Sequence, residues 1–199
     1  MNAVYYANAI AELGPDLTRR KRPVEFRPGL TGEEFARLEQ ELGIRFPPDL
    51  RALLSVALPV SPNFGPGFPD WRSAPAWYLR DRLEDPIEGV LFDVESGSFW
   101  YEPWGVRPAG MAEALSKARA ALAGVPRLIP IRGHAYIPVE PLEEGNPVFS
   151  IVQTDIILAG NDLPGYLASR FHGNPPSWAR STAKWIPFWS DIESGRSTE

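Results

Sequence analysis

The sequence predicts an α+β protein, built as an antiparallel β-sheet with flanking α-helices and an N-terminal helical hairpin. Apolar residues at helical spacing dominate the first half of the chain. Strand-like segments joined by short, turn-rich connections dominate the second half, and strands joined this closely favour antiparallel pairing. Hydrophobic residues make up 44% of the 199 residues, which supplies a core for helices to pack on a sheet.

The length suits one domain with short ends. We predict a peripheral N-terminal segment over residues 1–29, a single α+β domain over 30–192 and a disordered tail over 193–199. Within the first segment, Asn2 to Leu13 predicts a short helix. The basic run from Arg19 to Arg22 is interpreted as a solvated linker, with a patch for an acidic surface as the alternative.

A helix is predicted to start at Thr31. Thr31-Gly32-Glu33-Glu34 has the spacing of a capping box, in which the threonine caps the helix and the glutamate reaches back. Apolar residues then follow on one face, and Gly43 ends the helix because glycine accepts a positive φ. The residues on this face are Phe35, Leu38 and Leu42.

A second helix follows at once and completes the predicted helical hairpin. Proline is tolerated in a first helical turn, so Phe46-Pro47-Pro48-Asp49 marks its start. Pro59 is expected to end it. Its apolar face consists of Leu50, Leu53, Leu54 and Ala57.

An irregular loop is predicted from Ser61 to Arg72, since prolines and glycines interrupt it repeatedly. Its aromatic residues, Phe64, Phe68 and Trp71, are expected to attach it to the body of the domain. Ser73 is then expected to cap a third helix, whose inward face carries Ala76, Leu79 and Leu83.

A β-hairpin and a fourth helix come next. Gly89 to Val94 is interpreted as a strand, residues 95–98 as a turn, and Phe99 to Tyr101 as the returning strand. The helix is predicted over Pro108 to Ala123. Its stripe consists of Met111, Leu115, Ala118 and Leu122.

Three more strands and a last helix are predicted towards the C-terminus. The strands are Arg127–Ile131, Tyr136–Val139 and Pro147–Gln153, the last continuing through Ile156–Leu158. Gly133-His134 and residues 143–146 mark the turns between them. Asp162-Leu163-Pro164 opens the final helix.

Charge and composition restrict the function classes. Lys and Arg number 20 against 25 Asp and Glu, a formal net charge of −5, which suits a basic protein partner better than nucleic acid. Ordinary solubility charge is the alternative explanation. There is no cysteine, which excludes thiolate catalysis and disulfides. No targeting or membrane-spanning segment is evident, so a cytoplasmic location without membrane contact is the simplest expectation.

Motifs for catalysis or cofactor binding are missing. The sequence contains no Walker loop, no dinucleotide fingerprint, no nucleophile elbow and no His-Glu-x-x-His helix. We therefore expect no cofactor, no metal site and no catalytic residue. One alternative stays open, an unrecognised hydrolase that uses His134 and a pair of carboxylates. The carboxylates considered at element ends and loops are Asp70, Asp93, Glu95, Asp155 and Asp162.

Seven tryptophans are the most unusual feature, and most of them accompany loops and turns. Tryptophan and arginine are typical anchors of protein interfaces. Filling of the core beneath proline-rich loops is the alternative. The residues predicted to bind a partner are Asp70, Trp71, Arg72, Trp100 and Trp104.

From Leu30 onward, the order and spacing of several short segments resemble a known family, the SUKH superfamily in its bacterial Smi/Knr-type branch. The likeness covers about residues 30–192. The segments are Leu30–Glu34, Leu42–Arg51, Phe68–Arg72, Gly89–Val94, Trp104-Gly105, Leu128–Pro130 and Asn146–Ile157. One departure is Leu58–Pro62, which stands where many relatives have a glycine-rich, Asn-Gly-type stretch.

The resemblance implies an α+β fold and a binding role without a shared catalytic residue. Many bacterial relatives are immunity proteins that neutralise a cognate toxin, often a nuclease, and fungal relatives regulate cell-wall assembly. The chain is therefore expected to be a non-catalytic protein-binding module, an immunity protein for a toxin with a basic domain. A housekeeping scaffold that binds an endogenous protein is the alternative.

Overall fold

The computed structural model describes residues 24–61, 67–171 and 174–195. The predicted helix at 2–13, the basic run at 19–22 and the loop residue Phe64 lie outside these described residues. The division of the chain at residues 29 and 193 stays a prediction. Val24, within the first predicted segment, is nonetheless buried in the core.

The α+β class and the antiparallel pairing are confirmed. The helices are α1 (Gly32–Leu42), α2 (Pro48–Val56), α3 (Ala76–Ser96), α4 (Met111–Leu122), α5 (Leu163–Phe171) and α6 (Trp189–Glu193), with a 3-10 turn at Glu102–Trp104. The strands are β1 (Glu25–Pro28), β2 (Ala57–Val60), β3 (Leu128–Arg132), β4 (Ala135–Pro138), β5 (Val148–Val152) and β6 (Asp155–Gly160). Two of these strands form one sheet, β1-β2, and the other four form a second sheet in the order β3-β4-β5-β6.

Side chains of the four-stranded sheet belong alternately to two separate cores, because successive residues of a strand point to opposite faces. In β4, Ala135 and Ile137 join the first core and Tyr136 joins the second. The first core also contains the apolar faces of α1 and α2 and the start of α3. The second contains the end of α3, together with α4 and α6. Both faces of the sheet are therefore covered, except beside Val152 and Ile157, which are exposed.

The start and the end of α1 are confirmed. The Thr31 hydroxyl accepts from the Glu34 amide, while the Glu34 carboxylate accepts from the Thr31 amide at 2.8 Å. Gly43 follows the helix with φ of 64°, in the left-handed region. Whether α1 and α2 form the hairpin expected from the sequence stays a prediction.

The end of α2 was predicted wrongly. The helix stops at Val56, and Pro59 lies within strand β2, which pairs with β1. Neither strand was predicted, because four residues with a proline in each strand carry little strand signal. Gly29 permits the close approach between this region and α2, since a Cβ atom at Gly29 would lie 2.0 Å from the Ser55 carbonyl oxygen.

The predicted strand at Gly89–Val94 and its hairpin partner at Phe99–Tyr101 are wrong. The segment is the second half of α3, whose N-cap is Pro75 rather than Ser73. The helix continues through Pro86, although proline costs about 3 kcal/mol inside a helix. Burial at helical spacing outweighs this cost. The buried residues are Leu79, Leu83, Val90, Leu91 and Val94. Residues 95–98 form the end of the helix, where Gly97 has φ of 82°.

The stripe predicted for α4 is only partly right. Ala114, Ala118 and Leu122 are buried, whereas Met111 in the first turn is 42% exposed. Leu115 is partly buried against the second core.

Strands β3, β4 and β5 lie within a residue of their predicted positions, but the predicted continuation of β5 is wrong. Gln153 takes a left-handed φ of 58°, and the chain reverses into a separate strand, β6. The buried Asp93 carboxylate on α3 accepts from the amide and the hydroxyl of Thr154, at 3.0 and 2.6 Å. This turn is therefore tied to α3.

Helix α5 begins as predicted at Asp162. The Asp162 carboxylate accepts from the Gly165 amide at 2.7 Å, as an N-cap does. No helix among the described residues has the length and apolarity that crossing a bilayer requires.

Candidate partner-binding surface

Asp70, the first of the predicted binding residues, binds other parts of the same chain. One carboxylate oxygen accepts from the Arg27 guanidinium at 2.7 Å. The other accepts from the amides of Arg72 and Ser73 at 3.1 and 2.9 Å. Asp70 therefore joins strand β1 to the loop before α3.

Trp71 lies inside the first core, with 2% of its surface exposed. Its ring meets that of Phe46 edge to face, with centroids 5.1 Å apart. Its burial leaves no surface for a partner, and the prediction that it anchors an interface is corrected. The alternative weighed for the tryptophans, core filling beneath a proline-rich loop, describes this residue.

Arg72 joins three segments of the chain. Its guanidinium donates to both carboxylate oxygens of Glu34, at 2.5 and 2.9 Å. It also donates to the carbonyl oxygens of Pro28 and Gly29, at 3.0 and 2.9 Å. A bidentate arginine–carboxylate pair is one of the stronger polar contacts in proteins, so the structure gives Arg72 a stabilising role.

The pair between Glu34 and Arg72 makes stability depend on pH. The hydrogen bonds from Arg72 and from the Thr31 amide lower the pKa of Glu34 from 4.5 to about 2. A carboxylate with a lowered folded pKa stabilises the protein above pH 4.5 and loses that contribution as pH falls towards 2.

We therefore expect Glu34→Gln to destabilise the protein by about 1–2 kcal/mol at pH 7, with the difference from wild type shrinking as pH falls to about 2.5. Urea denaturation followed by circular dichroism from pH 7 to 2.5 measures this difference. Glu33→Gln is the matched control, because Glu33 is an exposed neighbour in the same helical turn. A difference that stays constant with pH would contradict the assignment.

Trp100 and Trp104, by contrast, lie in a half-buried cluster at the surface. The Trp104 ring stacks on Phe188 with centroids 5.9 Å apart and an interplanar angle of 13°. Trp100 meets Trp104 edge to face at 5.3 Å. Edge-to-face contacts also join Trp104 to Phe99 and Tyr101, and Phe188 to Trp189. We call residues 99–111 the aromatic turn.

Side chains fix the backbone of the aromatic turn. The Trp100 indole Nε1 donates to the Gly105 carbonyl at 2.6 Å, and Lys117 Nζ of α4 donates to the Val106 carbonyl at 3.1 Å. Arg107 donates to the Val94 carbonyl at 2.6 Å, where a cation also complements the C-terminal end of helix α3. The turn is therefore held at both α3 and α4.

A second contact fixes the Phe188 side of the cluster. Phe188 has a left-handed φ of 69°, which is strained for a residue with a Cβ atom. The Asp191 carboxylate accepts from the Phe188 amide at 3.0 Å and from the Tyr101 hydroxyl at 2.5 Å. Burial and Asp191 raise the pKa of Tyr101 to about 12, so the hydroxyl keeps its proton at neutral pH.

The aromatic turn also exposes apolar side chains. Val106 is 89% exposed and Met111 is 42% exposed. Sequence reasoning missed Val106, although a lone valine between Gly105 and Arg107-Pro108 has no periodic neighbour that would place it in a core. Val106 and Met111 are therefore the exposed apolar side chains that the aromatic turn offers to a partner.

Helix α3, which leads into the aromatic turn, has an acidic outer face. Its exposed acids are Asp81, Glu84, Asp85, Glu88 and Glu95, against a single exposed cation, Arg80. Glu84, Asp85 and Glu88 form ion pairs with arginines. Arginines therefore balance three of these five acids, and Asp81 and Glu95 carry the remaining negative charge of this face.

A concavity beside this helix has a volume of about 390 Å³. It is lined by apolar residues of α3, α4 and β3, with Glu84, Glu88, Arg119 and Arg127 among its polar residues. Both glutamates pair with these arginines, at 4.0 and 3.2 Å. Among the described residues that line the cavity, none is a histidine.

The carboxylates considered for hydrolysis mostly have structural partners. Asp93 binds Thr154, Asp70 binds Arg27, and Asp162 accepts from the amides of Gly165 and Arg180. Asp155, Glu95 and His134 are exposed. Among the residues that the structure describes, no three His, Asp or Glu side chains are grouped as a metal site requires.

No protein-family model, curated protein or solved structure matches this chain. The likeness to the SUKH superfamily therefore rests on the sequence segments alone and stays a prediction.

Proposed function

We propose that this protein acts by binding another protein, and that the aromatic turn contacts the partner. One observation carries the proposal. Val106 is 89% exposed at the tip of a backbone that Trp100, Arg107 and Lys117 hold by hydrogen bonds. Solvation of an apolar side chain is unfavourable, and burying it in a partner recovers that free energy.

Rigidity strengthens this argument. A loop that is already ordered loses little conformational entropy on binding, so more of the contact free energy appears as affinity. The rings of Trp100 and Trp104, half-buried beside Val106, supply aromatic surface of the kind that dominates interface energetics. Of the five residues predicted to bind a partner, these two lie within the aromatic turn.

Charge supports a basic partner. The exposed acids of α3 lead towards the aromatic turn, because Arg107 joins the turn to the end of that helix. An acidic face beside an apolar anchor steers a basic protein and then holds it by burial. The net charge of −5 acts in the same direction.

Within this binding role, we propose toxin neutralisation as the biological task. The resemblance to the SUKH superfamily and the acidic surface support it. The mechanism is stoichiometric: the aromatic turn covers the working surface of a toxin with a basic domain, and no bond is made or broken.

Co-expression with a toxin encoded beside this gene tests the task. We expect growth to be restored and a one-to-one complex to elute on gel filtration. Unchanged killing with no complex would contradict toxin neutralisation. If no toxin gene is adjacent and an endogenous protein is bound stoichiometrically instead, the housekeeping scaffold is the better description.

The binding surface is tested by Val106→Lys. We expect the affinity for the partner to fall about 30-fold, corresponding to about 2 kcal/mol, because a cation replaces the apolar anchor and repels a basic partner. Isothermal titration calorimetry measures the affinity. Leu142→Lys is the matched control, since Leu142 is an exposed apolar residue outside the aromatic turn. Equal affinities for the two variants would place the interface elsewhere.

A further inference from the structure

Strand β6 forms one edge of the four-stranded sheet and has outward-facing backbone groups. The Ile151 amide of β5 donates towards β4, to the His134 carbonyl at 2.8 Å. Ile156 lies opposite Ile151 in the β5-β6 register, so the N–H and C=O of Ile156 point away from β5. Leu158, two residues on, has the same orientation. The outward N–H and C=O groups of Ile156 and Leu158 form no backbone hydrogen bond with another described residue.

This edge lacks the prolines that the other edge strands have. The remaining edge strands, β1, β2 and β3, each contain a proline: Pro28, Pro59 and Pro130. Strand β6 is the longest of the six described strands, contains no proline and has Asp155 as its one charged residue. Proline and inward charges are the usual devices that stop a sheet from adding a strand. Their absence in a chain with 22 prolines marks β6 as an edge that can pair.

Exposed apolar side chains lie beside this edge. Ile157 of β6 is 57% exposed and Val152 of β5 is 47% exposed. Ile157 pairs with Ser150 and Val152 pairs with Asp155, which puts the two apolar side chains on the same face as diagonal neighbours. A strand added to β6 would bury Ile157.

We propose that β6 pairs with β6 of a second copy of this chain, antiparallel and centred on Ile157. In this register Ile157 faces its own equivalent across a two-fold axis. Ile156 then faces Leu158 of the other copy, and each such pair exchanges two backbone hydrogen bonds. Asp155 faces Ala159, so the one charged residue of the strand does not meet its equivalent.

This self-complementarity is why a second copy fits better than an unrelated strand. The outward hydrogen-bonding residues, the exposed isoleucine and the charge all match when the same five residues, 155–159, run in the opposite direction. The result is a continuous eight-stranded sheet with an apolar row across its centre. The proposal is independent of the aromatic turn, because it uses different residues.

A cysteine cross-link tests the pairing, since the chain has no native cysteine. In a non-hydrogen-bonded antiparallel pair the Cα atoms lie about 4.5 Å apart, within the roughly 4.4–6.8 Å that a disulfide spans. We expect Ile157→Cys to form a disulfide-linked dimer under mild oxidation at least about 10-fold faster than Leu142→Cys, because pairing raises the effective thiol concentration. Equal rates for the two variants would overturn the proposal.

Sedimentation velocity supplies the second readout. At chain concentrations of about 10–500 µM, suited to a small interface, we expect wild type to approach twice the mass of one 22.1 kDa chain. Ile157→Lys should stay at the mass of one chain, while Leu142→Lys behaves as wild type. Circular dichroism checks that each variant is folded. A monomeric wild type would overturn the proposal, as would an Ile157→Lys variant that still dimerises.

Discussion

Replacing Trp71 by alanine is expected to lower the free energy of unfolding by about 3–5 kcal/mol. The tryptophan is 2% exposed and packs edge to face on Phe46 in the first core. Its removal leaves a cavity that the surrounding helices and the β1-β2 sheet fill only in part. Urea denaturation followed by circular dichroism measures the loss.

Trp77→Ala is the matched control for this substitution. Trp77 is 68% exposed in the first turn of α3, only six residues from Trp71, and its removal should change the free energy of unfolding by less than about 0.5 kcal/mol. Comparing the two variants separates the effect of removing any tryptophan from the effect of removing a buried tryptophan. Similar costs for the two variants would show that Trp71 is not in the core.

Replacing Trp189 by alanine is expected to cost a comparable amount, about 3–5 kcal/mol, and to loosen the aromatic turn as well. Trp189 is fully buried in the second core, and its indole Nε1 donates to the Pro126 carbonyl at 2.7 Å. Its ring also supports Phe188, on which Trp104 stacks. We therefore expect faster hydrogen exchange at the amides of Trp104 and Gly105, which close the turn.

Trp189→Phe separates the two parts of this effect. Phenylalanine keeps an aromatic ring in the core but removes the hydrogen bond to Pro126, which should cost about 1–2 kcal/mol. Denaturation measures the stability of both variants, and exchange followed by mass spectrometry measures the turn. If the alanine variant left exchange at residues 104 and 105 unchanged, the support of the aromatic turn by α6 would be refuted.

Local signals in the sequence predicted the elements that local chemistry determines. The Thr31–Glu34 capping box and Gly43 define α1, because both act within one helical turn. Strands β3, β4 and β5 were located from runs of β-branched and aromatic residues between turn residues. The antiparallel pairing followed from the short connections, since a parallel crossover needs a longer segment.

The failures occurred where tertiary contacts decide the local structure. Gly89–Val94 has the composition of a strand, but burial of Val90, Leu91 and Val94 against the sheet makes it helical despite Pro86. Strands β1 and β2 stabilise each other across about thirty residues, which no local pattern records. The reversal at Gln153 uses a left-handed residue that is not glycine, and the Asp93 contact that holds the turn comes from a distant helix.

The candidate site was predicted only in part, for a related reason. Tryptophans were recognised as interface residues from their type, but residue type does not distinguish Trp71, inside a core, from Trp104, at its edge. Arg72 has the side chain of an interface anchor, yet four intramolecular hydrogen bonds occupy it. Val106 was missed because one exposed valine has no periodic signal, and its exposure depends on how α3 and α4 hold the turn.

Site-specific photo-cross-linking at position 106 tests the central claim most directly. A photo-reactive amino acid replaces Val106 in the full chain, in cells of its source organism, with position 142 as the control. A single discrete adduct with another protein from position 106, and none from position 142, is the outcome that this account predicts. The absence of any adduct from position 106, or the same adducts from both positions, would show that the aromatic turn is not the binding surface.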